Sequence, residues 1–169
     1  MRFPHLHDNK LIPKGHVSWL DPTVPQQQYL WTVTAPDELK EQYPNHTRVV
    51  HHIQEAACSL GYAITQKAAR QLLYEIGLKN FNAAFDILLR WFCEGAEGRK
   101  HHTCLAMQPS LFQHHRPAGP KSAESDISDH GEGYRGAPHT NVLRWSVRMN
   151  AETMMDGENN FVDQWPDVE

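Results

Sequence analysis

The sequence predicts a mainly α protein, a small three-helix bundle with long irregular N- and C-terminal arms and one or two short strands. Apolar residues recur at helical spacing within residues 46–94, and a glycine follows each apolar stripe. The flanking segments are rich in Pro, Gly, Ser and His. We therefore divide the chain into an extended N-terminal arm (1–34), a helical domain (35–94), an irregular segment (95–140) and a short strand with an acidic tail (141–169).

The N-terminal arm has four prolines within residues 1–28 and no helical period, which predicts extended chain. Residues 29–34 are aromatic and β-branched, and this composition predicts a short strand. Thr34 and Pro36 then mark the start of a short helix, because a hydroxyl cap and a first-turn proline favour helix initiation. That helix should end before Pro44, since the residue before a proline disfavours helical geometry.

Three amphipathic helices are expected to follow. Capping residues and glycines set their limits, which are Asn45 or Thr47 to Gly61, Thr65 to Gly77, and Asn80 to Gly95. The apolar stripes comprise Val49, Val50, Ile53, Ala56, Ala57 and Leu60; then Ala69, Leu72, Leu73 and Ile76; then Phe81, Ala84, Phe85, Leu88, Leu89 and Phe92. Because the connecting loops are only a few residues long, we expect these stripes to be buried against one another.

The chain after the helices has few apolar residues until residues 142–149, where apolar and polar residues alternate. Trp145 and Val147 fall on one side and Arg144 and Ser146 on the other, which predicts a half-buried strand. Residues 151–169 contain six acidic residues and no Lys or Arg. This composition predicts a solvated terminus or a segment that docks on a basic surface.

The composition narrows the function classes. The net charge of −4 gives no basic face for nucleic acid. No apolar run approaches the roughly 20 residues of a membrane span. The three cysteines do not form a disulfide framework, so we expect an intracellular, reducing compartment, either the cytoplasm or an organelle interior such as the mitochondrion.

Residue types that zinc prefers are found around the end of the third helix. The candidate ligands are Cys93, His101 or His102, Cys104, and His114 or His115, which together offer two thiols and two imidazoles. The alternative is a core cysteine followed by a solvated, His-rich loop. No other cofactor is expected.

No catalytic motif is present. The chain has no GxSxG, no GxGxxG after a strand, no phosphate loop and no HExxH, so we do not predict an enzyme. Cys58 lies among alanines of the first helix, where a buried and inert thiol is expected.

The C-terminal tail contains an aromatic residue and a valine three positions apart among acids, Trp165 and Val168. This arrangement resembles the short motif that docks on ubiquitin-like autophagy modifiers. The alternative is a tail in which Trp165 anchors on the protein's own bundle or on another partner, because tryptophan is a general interface anchor.

Residues 46–92 resemble the ubiquitin-associated (UBA) domain, a small three-helix bundle. The resemblance rests on Leu60-Gly61-Tyr62 at the first loop, Ala68 and Leu72 in the second helix, and Asn80, Ala84, Asp86, Leu88 and Leu89 in the third. Leu60 stands where the family usually has methionine. The resemblance implies a ubiquitin-binding patch formed by Leu60, Gly61, Tyr62, Leu88 and Leu89.

These observations predict a non-enzymatic protein–protein interaction protein, a structural accessory or scaffold subunit of a multiprotein complex. Its partners would be other protein subunits, with Trp31, Trp145 and Trp165 as anchors. One alternative is a ubiquitin-binding adaptor that combines the UBA-like bundle with the acidic tail motif. A second is a zinc-stabilised domain.

Overall fold

The computed structural model describes residues 17–30, 43–53, 58–124 and 131–169. Three predicted features fall on other residues: most of the strand over 29–34, the short helix that begins at Thr34, and the anchor Trp31. They lie outside the described residues.

The residues predicted to begin the first helix form the central strand of a three-stranded antiparallel sheet. Strands β1 (Val17–Leu20), β2 (Thr47–His52) and β3 (Leu105–Gln108) pair in the order β1-β2-β3. Val50 of β2 is opposite Val17 on one side and Met107 on the other. The predicted first helix is therefore wrong. Its β-branched residues favour a strand, and partners distant in sequence complete the pairing on both sides.

The central strand β2 buries a charged residue as well as apolar ones. Arg48 is 1% exposed and donates hydrogen bonds to Asp21, to the Thr23 hydroxyl and to the carbonyl of Pro109. Burial favours the neutral form of Asp21, but hydrogen bonds from Thr23 and Arg48 outweigh it and hold the pKa of this carboxyl below its usual value. The buried guanidinium is thus paired and links β2 to the chain that follows β1.

The second and third predicted helices are present, with different limits. Helix α1 (Gln66–Leu72) begins as predicted, with the Thr65 hydroxyl accepting from the Ala68 amide at 3.2 Å. It continues past Gly77 with π-helical geometry over Leu73–Lys79.

Helix α2 (Phe85–Glu94) begins five residues after Asn80, so the predicted cap at Asn80 is wrong. It ends as predicted at Gly95, whose φ of 70° lies in the left-handed region that favours glycine.

A small apolar core joins the two helical segments. Leu72, Ile76, Leu88, Phe92 and Cys93 form its buried cluster, and Ile53, Leu89 and Trp91 pack around it. Leu88 is fully buried. The core is therefore built by two helical segments and by Ile53, the residue that follows β2, in place of the three predicted helices.

The C-terminal half contains very short strands. β4 (His115–Arg116) pairs with β7 (His139–Thr140), and β5 (Gly119–Pro120) pairs with β6 (Tyr134–Arg135). Short 3₁₀ helices cover Gln27–Tyr29 and Lys121–Ala123, and α3 covers Ala151–Met155. With three small sheets among the described residues, the mainly α fold class is wrong.

The strand predicted over residues 142–149 is also wrong, because this segment is a series of turns. The Met149 and Asn150 amides both donate to the Ser146 carbonyl at 3.1 Å. The Asn150 side chain donates to the same carbonyl at 3.0 Å. Local bonds of this kind offer the backbone an alternative to a strand ladder, and alternation alone does not reveal them.

Candidate functional site

Four large apolar side chains are exposed beside the helices: Leu60, Tyr62, Phe85 and Phe112. We call this group the apolar surface. The Tyr62 and Phe85 rings are 6.2 Å apart between centroids. A Cβ placed on Gly61 would be 3.1 Å from the Phe112 ring, so this ring packs on the glycine backbone between Leu60 and Tyr62.

The apolar surface is open to solvent. The exposed fractions of Leu60, Tyr62, Phe85 and Phe112 are 51%, 54%, 37% and 60%. Three apolar side chains within four positions of these residues along the sequence are also exposed: Ile64, Phe81 and Leu111. The π-helical segment exposes Leu73, Tyr74 and Leu78. Single exposed apolar residues are ordinary, but contiguous ones mark interaction sites.

The structure brings together only part of the predicted ubiquitin-binding patch. Leu60, Gly61 and Tyr62 lie on the apolar surface. Leu88 is fully buried and Leu89 packs against the core, so neither forms one surface with the loop. Sequence reasoning missed Phe85 and Phe112 as surface residues, because Phe85 fits the core stripe and Phe112 lies in a segment with few apolar residues.

The predicted zinc ligands are arranged differently. Cys93 and Cys104 form a disulfide that joins the end of α2 to the residue before β3. His102 stacks on Phe92, with ring centroids 3.9 Å apart, and its Nε2 lies 3.0 Å from a Glu75 carboxylate oxygen.

The other histidines of the predicted set do not converge on these sulfurs. The His101 backbone packs against Gly95, His114 is exposed, and His115 Nδ1 lies 3.1 Å from the Thr140 hydroxyl. Within the described ranges, no group of three or more His, Cys, Asp or Glu side chains is placed to hold a metal ion.

Cys58 is exposed, so the predicted buried thiol is wrong. Its backbone has a positive φ of 70° and its amide donates to Asp86 at 3.0 Å. The residue lies in the loop that leads to the apolar surface, whereas the prediction placed it in a helix.

The predicted tail anchors contact the protein's own chain. The Trp165 indole N–H donates to the Thr140 carbonyl at 3.1 Å, and its ring lies 5.4 Å from that of Tyr29. The Val168 amide donates to the Gln26 side chain at 3.2 Å, and this side chain donates back to the Val168 carbonyl at 3.3 Å. Trp145, a further predicted anchor, is 37% exposed.

Arg144 holds the acidic tail. It donates to Asp163, and at 3.2 Å to Asp167. Hydrogen bonds from Arg144 to Asp163 outweigh burial and raise the pKa of the guanidinium. Its guanidinium also lies 5.1 Å from the centre of the Trp145 ring. The tail therefore docks on a basic residue of its own chain.

Two further observations concern relatives of the chain and membrane-spanning helices. No protein-family model, curated protein or solved structure matches it. Within the described ranges, no helix has both the length and the apolar character needed to cross a bilayer.

Proposed function

We propose that this protein is a non-enzymatic accessory subunit of a multiprotein complex and binds a protein partner through its apolar surface. The observation that supports this is the contact of Tyr62 with Phe85, and of Phe112 with Gly61, at a place where all three rings are still open to solvent. A protein partner that covers them would remove their apolar area from water.

The energy available from these side chains sets the size of the interface. Full burial of a leucine or phenylalanine side chain contributes about 1.5–3 kcal/mol, so four half-exposed ones offer on the order of 4 kcal/mol. A micromolar complex requires about 8 kcal/mol after the costs of association. The partner must therefore also contact neighbours such as Ile64, Phe81 and Leu111, which are exposed.

Ubiquitin is one partner to test. Leu60 and Tyr62 are exposed as a ubiquitin-binding loop would require, while the buried Leu88 would not contribute. For the tail motif to bind a modifier, Trp165 would first have to leave Thr140 and Tyr29. We therefore assign partner binding to the apolar surface rather than to the tail.

The test is capture of partners from cell extract by tagged full-length protein, with identification by mass spectrometry. The variant carries Tyr62→Ser and Phe112→Ser, both at exposed positions. The matched control carries Met155→Ser and Val162→Ser, which remove exposed apolar side chains elsewhere. Fold is checked for each by circular dichroism, since exposed substitutions usually change stability by less than about 0.5 kcal/mol.

We expect a defined set of proteins on the wild type and the control, and its loss on the Tyr62/Phe112 variant. If ubiquitin is the protein lost, the adaptor function replaces the accessory-subunit function. The proposal is contradicted if all three baits capture the same proteins, or if the apolar surface mediates only pairing of two copies of this chain in sedimentation velocity.

A further inference from the structure

A polar cleft lies in the C-terminal half, and its residues are distinct from those of the apolar surface. Its volume is about 540 Å³, within the roughly 300–1,000 Å³ of small-molecule sites. Strands β4, β6 and β7 contribute Arg116, Arg135 and His139, and the tail contributes Trp165.

Two arginines are held at the cleft by one carboxylate. The Glu124 side chain is only 3% exposed, and it accepts from Arg135 Nε at 2.7 Å. Arg116 Nε lies 3.9 Å from the other Glu124 oxygen, and Arg116 Nη1 donates to the Glu124 carbonyl at 3.2 Å. Among the described residues that line the cleft, two guanidiniums face one carboxylate, so their summed formal charge is positive.

The His139 ring next to these arginines is neutral. Its Nδ1 lies 3.0 Å from Arg135 Nη1, and a guanidinium only donates, so this nitrogen accepts and the ring is neutral. Burial and the nearby Arg135 lower the pKa of His139, in agreement with this geometry.

Asn141 supplies a polar group without a partner. This residue lines the cleft, and its Oδ1 is buried without a hydrogen-bond donor among the described residues. Because an amide is neutral, Asn141 adds a polar group but no charge to the wall of the cleft.

Trp165 gives the cleft an aromatic wall. Its indole N–H is already bonded to Thr140 and its ring touches Tyr29, which fixes the ring in place. A fixed aromatic ring stacks well on a planar ligand. Pro138 adds a second apolar wall.

We propose that this cleft binds a small planar organic anion, a carboxylate or phosphate on an aromatic ring. Arg116 and Arg135 would take the anionic group, since the guanidinium fork matches carboxylate and phosphate oxygens. The ligand ring would lie on Trp165.

The experiment titrates ¹⁵N-labelled full-length protein with salicylate, phenyl phosphate, inorganic phosphate and phenol, and follows the indole N–H resonances. Trp165→Phe identifies the Trp165 resonance. We expect it to move with salicylate or phenyl phosphate, which separates a carboxylate site from a phosphate site. Phenol should bind more weakly because it lacks the anionic group, and inorganic phosphate should bind more weakly because it lacks the aromatic ring.

Asn141→Asp places a negative charge at the unpaired oxygen with almost no change in shape. It should weaken binding by at least about tenfold, since like charges repel at close range. Arg70→Gln, at an exposed arginine on α1, changes the net charge of the protein by the same amount and should leave affinity unchanged within about twofold. The affinity of the wild-type protein for the anionic probes should also fall with added salt. This measurement tests the attraction between the arginines and the anionic group without any variant.

Three results would overturn the proposal: no Trp165 shift at about 10 mM probe, well above a millimolar dissociation constant; equal shifts with phenol and the two anions; or salt-independent affinity. Equal weakening by Asn141→Asp and Arg70→Gln would also overturn it, because the charge effect would then not belong to the cleft.

Discussion

The two halves of the described molecule are held together by different interactions. Around α1 and α2, buried apolar side chains form one cluster, and the Cys93–Cys104 disulfide closes it. In the C-terminal half, the buried residues are mostly polar, namely Thr140, Ser146 and Asn150, together with the apolar Val142. Side-chain bonds to backbone groups and ion pairs to Arg144 take the place of an apolar core there.

This difference bears on function. The helical half has more large apolar side chains than its small core buries, and the excess forms the apolar surface. The C-terminal half also exposes apolar side chains, such as Met155 and Val162, but it builds a charged cleft as well. We therefore expect protein partners at the first half and small ligands at the second. Four predictions test the structural contrast, from the largest expected effect to the smallest.

Leu88→Ala should cause the largest loss of stability. Removing a fully buried leucine costs about 2–5 kcal/mol, because it loses apolar burial and leaves a cavity. Leu73→Ala is the matched control, since Leu73 is 64% exposed. Urea unfolding followed by circular dichroism measures both. Similar midpoints for the two variants would show that Leu88 does not lie in a packed core.

Loss of the disulfide should come next. The bond closes a loop with a sequence separation of 11, and its removal should lower the free energy of unfolding by about 2–3 kcal/mol. The double variant Cys93→Ser and Cys104→Ser should match wild type under reducing conditions. Cys58→Ser, at an exposed free thiol, serves as the control. A melting temperature that does not respond to reductant would contradict this expectation.

Asn150→Ala should affect the C-terminal half alone. The Asn150 side chain donates to Ser146 and Val162 carbonyls and accepts from the Val162 amide at 2.7 Å. Leaving those groups unpaired costs about 1–3 kcal/mol.

Hydrogen exchange should then speed up at the Val162 amide and stay unchanged in α2. Asn159→Ala, in the exposed chain nearby, should change neither. Faster exchange in both halves would show that one cooperative unit, not two contrasting ones, holds the chain.

The smallest effect concerns pH. Burial lowers the pKa values of His115 and His139, with Arg148 and Arg135 acting in the same direction. Because the pKa of each histidine is lower in the folded state, the unfolded state takes up protons at a higher pH than the folded state does. The contribution to the free energy of unfolding is therefore fully present above the unfolded pKa of 6.5 and decreases as pH falls below it.

Exchange of C-terminal amides between pH 7 and 5, corrected for the intrinsic rate, measures this loss. The pH dependence should shrink in the variant His115→Gln with His139→Gln. An identical pH dependence in wild type and variant would assign it to other groups.

The parts of the fold that depend on local signals could be predicted from the sequence. Thr65 caps α1 and Gly95 ends α2, and both roles follow from side-chain chemistry within one turn. The strand β2 was missed because Val49, Val50 and Ile53 also fit a helical stripe. What decides its structure is pairing with residues 27 to 33 positions away in β1 and 53 to 59 positions away in β3.

The candidate sites show the same limit. Leu60 and Tyr62 were found because a loop pattern marks them, whereas Phe112 joins them only through its contact with Gly61. None of the cleft's polar groups was anticipated. No sequence pattern links Glu124 to Arg116 and Arg135. The short strand pairs β4–β7 and β5–β6 bring the three side chains together.

Photo-crosslinking in living cells tests the central claim most directly. A photoreactive phenylalanine analogue replaces Tyr62 in one full-length protein and Met155, which is 86% exposed, in another. The apolar surface predicts a discrete adduct with a different protein from position 62 and none from position 155. No adduct at position 62, the same adducts at both positions, or an adduct containing only a second copy of this chain would contradict the account.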